Sequence, residues 1–164
     1  MRLHSRWTSL ALAAVAIAAC GKTEQAKPDS SSAKTAAAPA KNKITIAMIA
    51  KSSNNPVFLA ARTGAEAAAK ELSQKNGITV TVNWLTPPEE DGQIQAQRIQ
   101  QAVNDGADAI LISCSDAGKV TGAINDAVDR GVAVMTFDSD APASKRFAYY
   151  GVDDVKTGQQ TMAE

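Results

Sequence analysis

From Ile44 to Phe137 the chain repeats one unit three times: a short run of apolar and β-branched residues, a turn, then a stretch with apolar residues at helical spacing. The first run, Ile44-Thr45-Ile46-Ala47-Met48-Ile49-Ala50, is too short for a typical helix and suits a central strand covered on both faces. Asn55-Pro56 then reads as an N-cap with a first-turn proline. Val57, Ala61, Ala65, Ala68 and Leu72 follow at helical spacing, and Asn76-Gly77 ends the helix. Ile78, Val80, Val82 and Trp84 alternate with Thr79, Thr81 and Asn83, a second strand closed by Pro87-Pro88. A second helix is expected from Asp91 to Asp105, with Ile94, Ile99, Ala102 and Val103 inward and Gly106 as its stop. Ala109-Ile110-Leu111-Ile112 is a third strand. Ser115 or Asp116 can cap a third helix whose apolar face is Val120, Ala123, Ile124, Ala127 and Val128, ending at Gly131, and Val132 to Phe137 is a fourth strand. Phe147 to Val152 reads as a fifth strand, after which Asp153-Asp154 can cap another helix. Such regular alternation requires a parallel sheet with helices on both faces and right-handed crossovers: an α/β, three-layer, doubly wound fold.

Composition agrees with a modest core. Of the 164 residues 45% are hydrophobic but only 4% aromatic, and much of the apolar content is alanine, which buries little area per residue. Lys+Arg and Asp+Glu both total 17, so the chain has no global field to draw nucleic acid or an anionic membrane face, and no nucleic-acid partner is expected.

Residues 1–19 belong to a different class. Arg2 and Arg6 precede an uncharged apolar run from Leu10 to Ala19, an export signal far shorter than the ~20 residues that span a bilayer. It ends in Ile17-Ala18-Ala19-Cys20-Gly21, which resembles a bacterial lipobox, where Cys20 would be lipidated and anchor the chain to a membrane; the alternative is an ordinary signal peptide with a chance cysteine. Removing Arg2 and Arg6 from the 17 basic groups leaves 15 against 17 acidic ones. Residues 20–42, rich in Ala, Ser, Lys and Pro, cannot bury enough surface to offset an ordering entropy of ~1 to 2 kcal/mol per residue and read as a flexible, disordered tether. If Cys20 is acylated, Cys114 has no disulfide partner in this chain and is a structural thiol.

In open α/β sheets ligands bind beyond the carboxyl ends of the strands. That rule selects the loops 51–55, 85–91, 113–116 and 138–142. The sole histidine is His4 in the signal, and the loops contain neither a nucleophile elbow nor a phosphate-binding glycine motif, so no enzymatic role is expected. No metal-ligand spacing and no cofactor motif is present in the sequence. The loops offer Lys, Asn, Ser and Asp, which donate and accept hydrogen bonds and suit hydroxyl groups.

Several segments, in order, resemble the type I periplasmic sugar-binding proteins: Lys51-Ser52-Ser53-Asn54-Asn55-Pro56-Val57-Phe58, Ile110-Leu111-Ile112-Ser113, Gly131 through Pro142 with Phe137-Asp138-Ser139, and Tyr150-Gly151-Val152-Asp153-Asp154 with Gly158. The resemblance implies that 43–152 is the N-terminal lobe of a sugar-binding domain and that 153–164 opens the crossover to a second lobe. It implies that Asp138 accepts hydrogen bonds from neighbouring sugar hydroxyls, with loop capping as its alternative role. It also marks Asn55 as a ligand contact or N-cap, Phe58 as a ring that stacks on sugar or packs in the core, Lys51 as a ligand contact or surface lysine, and Ser113 as a polar contact or a locally satisfied hydroxyl. Val57 stands where the ribose branch has a second aromatic and Ser139 where it has arginine, while Lys51 matches branches taking rhamnose or a furanosyl autoinducer. The implied ligand is a sugar or sugar-like polyol, and these departures argue against carrying ribose over as its identity. The implied function is extracytoplasmic capture and delivery to an ABC transporter permease, or presentation to a membrane receptor or histidine kinase. The lactose-repressor type, which shares the fold, would begin with a basic helix-turn-helix where this chain has an export signal.

The lipobox reading predicts that Cys20→Ala releases the protein from membrane fractions or blocks its processing. Fractionation and processing identical to wild type would exclude it.

Overall fold

The computed structural model describes residues 41–163; the expected signal 1–19, the expected lipidation site Cys20 and the expected tether through residue 40 lie outside the described residues. Among the described residues strands and helices alternate as expected up to β4, which β5 follows without an intervening helix: β1 (Lys43–Ile49), α1 (Pro56–Asn76), β2 (Thr79–Trp84), α2 (Gly92–Asn104), β3 (Ala109–Ile112), α3 (Ala117–Asp129), β4 (Ala133–Phe137), β5 (Ala148–Tyr150) and α4 (Asp154–Ala163). All pairings are parallel, in the order β2-β1-β3-β4-β5. Lys41 forms an ion pair with Asp108, and Thr79 donates its N–H to the Asn42 carbonyl at 2.9 Å, so both residues are tied to the sheet.

The helix starts follow capping chemistry. Asn55 Oδ1 accepts from Val57 N, Asp91 Oδ1 from Gln93 N and Ile94 N, and Asp116 Oδ1 from Lys119 N, each satisfying an otherwise orphaned first-turn donor. Asp153 Oδ1 does the same for Lys156 N at the start of α4. Of the two candidates for the α3 cap, Asp116 takes the role.

The core lies between the sheet and the α2–α3 pair. Ala47, Ile49, Ile110, Ile112 and Val134 meet Ala96, Ile99, Ala102, Val120, Ala123, Ile124 and Ala127 in one buried cluster. Met48 is buried but lies outside that cluster, as the alternation of a strand requires, on the α1 side. Coverage is uneven. Among the described residues Leu111 and Met135 stay partly exposed on the α1 side, while Ile110, Ile112 and Val134 on the other face are fully buried.

The inward face of α1 differs from the spacing-based expectation. Phe58 and Ala69 are buried and Ala61 and Ala65 half-buried, but Val57 and Leu72 are 68% and 46% exposed, and Ala68 also faces out. An alanine-rich helix has a weak apolar preference, so specific anchors set its roll. Phe58 turns inward, Arg62 lies over the Trp84 ring at 5.5 Å, and Ser73 Oγ accepts from Val80 N at 2.8 Å. β5 is also shorter than the expected 147–152: with β4 as its one partner it pairs over three residues, and Phe147 remains exposed.

The amino ends of α2 and α3 approach closely at Gly92, where a Cβ would lie 2.8 Å from the Asp116 Cβ. Gly92→Ala should therefore force the two helices apart and cost about 1 to 3 kcal/mol in denaturant unfolding. Gly122→Ala, in the exposed middle of α3 with no atom within 4 Å, should stabilise by roughly 0.5 to 1 kcal/mol. Equal effects of the two substitutions would show that the close approach is not a packing constraint.

Candidate functional site

The sheet register aligns the ends of three strands. Ile49 is level with Ile112, and Ile112 with Thr136, so the residues just beyond them, Lys51, Ser113 and Asp138, emerge side by side at one edge. All three were candidate ligand residues in the sequence. The structure gathers them around one carboxylate: Ser113 Oγ donates to Asp138 Oδ2 at 2.7 Å, Ser139 Oγ to the same oxygen at 3.4 Å, and Lys51 Nζ lies 3.5 Å from it.

Asp138 is held in an uncommon conformation. Its φ is +59°, the left-handed region that Asp tolerates better than most residues. The Asp138 N–H donates to the Tyr150 carbonyl at 3.0 Å, and Tyr149 Oη donates to the Asp138 carbonyl at 2.9 Å, so both backbone groups are fixed. Gly151 leaves room for this arrangement, because a Cβ there would collide with the Tyr149 ring. The side chain of Asp138 stays 47% exposed and its Oδ1 faces no partner among the described residues.

A second network braces the loop after β4. Arg146 donates Nε to Asp140 Oδ1 at 2.5 Å and an Nη to Oδ2 at 2.6 Å, and Thr136 Oγ1 donates to Asp140 Oδ1 at 2.6 Å. The Arg146 guanidinium holds the Asp140 carboxyl below the usual carboxylate range. Neither Tyr149 nor the Arg146–Asp140 pair was singled out from sequence, since a tyrosine in an edge strand and a six-residue Asp-to-Arg separation have no distinctive spacing.

The other candidates take different positions. Ser113 is fully buried, so its hydroxyl orients Asp138 instead of facing solvent. Asn55 spends its oxygen on the α1 cap, and Phe58, 5% exposed, packs beneath α1. Cys114 is buried; its desolvation, with the Asp140 charge adding, pushes the thiol up to about 12, which suits the structural role expected of it.

A groove of about 480 Å³ opens over Asp138, lined by Lys51, Phe137, Ser139, Tyr150, Val152 and Asp154. A roomier concavity of about 740 Å³ lies at the opposite end of the sheet, between Ile44, Val103, Ala107, Ala109 and Val132. Its charged residues are already engaged, Lys41 with Asp108 and Arg130 with Asn104. The carboxyl-end groove brings together an open carboxylate, an ammonium group and the Tyr150 ring beyond the ends of β1, β4 and β5, on the side of the sheet where open α/β folds bind ligands.

The family model for the periplasmic binding protein domain matches residues 46–164. The ribose import binding protein RbsB of Bacillus subtilis (strain 168) is 29% identical over 123 residues, 75% of this chain and 38% of that protein. A sugar ABC transporter sugar-binding protein from Bacillus halodurans aligns with a TM-score of 0.64 at 30% identity, over 73% of this chain and 39% of that one. A mutant form of the XylFII–LytSN complex aligns with a TM-score of 0.63 at 30% identity, over 74% and 43%. The chain thus spans about two fifths of the length of these relatives. With a doubly wound parallel sheet, a polar site at the strand ends and a family match over most of its length, the chain belongs to the periplasmic binding protein domain family.

Proposed function

We propose that this chain supplies one wall of an extracytoplasmic site that captures a sugar or sugar-like polyol, which is then delivered to an ABC permease. The observation that carries the reading is the exposed Asp138 carboxylate, steered by a buried hydroxyl and accompanied by an ammonium group. An ionised carboxylate has two acceptor oxygens and can take hydrogen bonds from both hydroxyls of a vicinal diol. Lys51 supplies a donor for a hydroxyl oxygen on the same ligand. In this reading Ser113 orients Asp138, the Asn55 amide nitrogen is left to reach a ligand, and Phe58 shapes the floor under α1. Binding without turnover fits a site whose groups donate and accept hydrogen bonds and whose thiol is held protonated. The export signal and Cys20 would place the domain outside the cytoplasmic membrane on a lipid tether, with residues 43–152 forming the first lobe.

A second reading, presentation of the bound ligand to a membrane sensor, draws on the similarity to a protein solved as the XylFII–LytSN complex. Permease genes beside the coding sequence would favour delivery, and sensor-kinase genes presentation.

In a thermal-shift screen of the full-length protein against monosaccharides, polyols and amino acids, at least one sugar or polyol should stabilise the fold, by about 2.7 kcal/mol at one hundred times its Kd. Stabilisation by amino acids alone would exclude the sugar reading. Asp138→Asn, which keeps a residue tolerant of the left-handed backbone, should lower affinity about ten- to a hundredfold, a loss of roughly 1.5 to 3 kcal/mol by calorimetry. Unchanged affinity would remove Asp138 from the site.

A further inference from the structure

Beyond Ile49 the edges of β1 and β3 part. Ser113 N–H donates to the Ile49 carbonyl at 3.0 Å, the last backbone bond between them. The next backbone groups would face each other unpaired, and side chains take over. Ala50 N–H donates to Thr86 Oγ1 at 2.7 Å. The remaining groups converge on a single amide, that of Gln95 in the first turn of α2.

Gln95 is fully buried. Its Nε2 donates to the Ala50 carbonyl at 3.0 Å and to the Ser113 carbonyl at 2.8 Å, and its Oε1 accepts from Ser115 N–H at 2.8 Å. The orientation is unambiguous, because a flipped amide would set an oxygen against two carbonyls. Each group it joins is next to the site. Ala50 precedes Lys51, Ser113 steers Asp138, and Cys114, between Ser113 and Ser115, donates its N–H to the Ser139 carbonyl at 3.0 Å. One side chain therefore links the ends of β1 and β3 directly and reaches the loop after β4 through a single further bond.

We infer that Gln95 is a positioning residue for ligand binding: it bridges the crevice where β1 and β3 part and fixes the spacing of Lys51, Ser113 and Asp138. The ligand consequence rests on the sugar-binding reading, but the bridge itself does not. Gln95 could not touch a ligand in the groove, since it has no exposed surface. Its effect must pass through the 50–51 and 113–115 segments.

The test uses Gln95→Met, similar in volume and without hydrogen-bonding groups, in the full-length protein. Two readouts are needed. The first requires no ligand: Cys114 sits inside the bridged segment and is 4% exposed, so its alkylation by N-ethylmaleimide, followed on its own peptide by mass spectrometry, should be slow in wild type. Loss of the bridge should speed it at least about tenfold. The second is calorimetric affinity for the monosaccharide that most stabilises the wild type, among D-ribose, L-arabinose, D-glucose and D-galactose. Gln95→Met should weaken it about ten- to a hundredfold, as expected for buried carbonyls left unpaired beside the site.

Ile124→Val, in the α3 core, is the control for lost stability, and should lower the Tm without changing either readout. Non-additivity separates positioning from general packing: in a Ser113→Ala background, where Asp138 is already unsteered, Gln95→Met should cost clearly less affinity than in wild type. Cys114 labelling at the wild-type rate, or an affinity loss equal in both backgrounds, would overturn the inference. If the wild-type protein binds none of the four sugars, the ligand reading fails on those probes and the labelling result alone decides whether the bridge exists. Should Gln95→Met not fold, Gln95→Glu keeps the shape but offers at most one hydrogen to two carbonyls, and the same outcomes apply to it.

Discussion

Every parallel strand must be re-entered from the same end, so the connections of this sheet choose its geometry. From β1 the chain crosses in one direction to β2, then back across β1 to β3 and onward to β4. Right-handed crossovers made in opposite directions place α1 on one face and α2 and α3 on the other. At the point of reversal no helix can cover both sides of the strand ends, and the loops after β1 and β3 diverge. The crevice is thus a consequence of chain order and handedness. What local chemistry adds is control over how wide the crevice opens and which groups face it.

That control is built from buried polar groups, of which the Gln95 amide and the Ser113 hydroxyl are paired while Ser115 Oγ is buried without a partner among the described residues. A buried amide or hydroxyl left without partners costs about 1 to 3 kcal/mol where a made hydrogen bond returns about 1, which favours paired networks around the strand ends. Gln95 meets this demand with three bonds, and Ser113 with its single hydroxyl bond to Asp138. Tyr149 completes the frame from the edge strand by binding the Asp138 carbonyl. An aspartate at φ +59° loses little relative to a β-branched residue there, and its backbone bonds hold it in that region.

The strand and helix order was legible because periodicity reports burial, and burial is what a sheet between two helix layers imposes. The roll of α1 was not. Val57 and Leu72 fit an apolar stripe on paper, but the stripe is mostly alanine, and the contacts of Phe58, Arg62 with Trp84, and Ser73 with Val80 decide which side turns in. Gln95 escaped for the opposite reason: a polar residue in a helical repeat reads as outward, and the pattern around it made Ile94 the inward position, whereas Gln95 is buried and Ile94 only partly so. At the site, the family resemblance pointed to the strand ends and to Asp138, but residue type could not separate a side chain that faces the groove from one that supports it. Ser113 illustrates the point: its type suits a ligand contact, whereas in the structure it is fully buried with its hydroxyl on Asp138.

The two carboxylates of the loop after β4 differ in exposure and in how they are paired. Asp140 is engaged by both oxygens with a planar guanidinium, the two side chains being only 20% and 21% exposed, a geometry in which breaking the pair would strand a poorly hydrated charge. Asp138 meets Lys51 through one oxygen at 3.5 Å, and it is 47% exposed. Pairs of that kind contribute about 1 kcal/mol or less, because water and salt screen them and a lysine loses rotamer freedom in making them. On the proposed sugar-binding reading, a hydroxyl-bearing ligand would enter between Lys51 and Asp138 at small electrostatic cost, accepting from one and donating to the other. The Arg146–Asp140 pair, two residues along, would stay closed in that exchange, because its bidentate, poorly exposed geometry holds the loop in place.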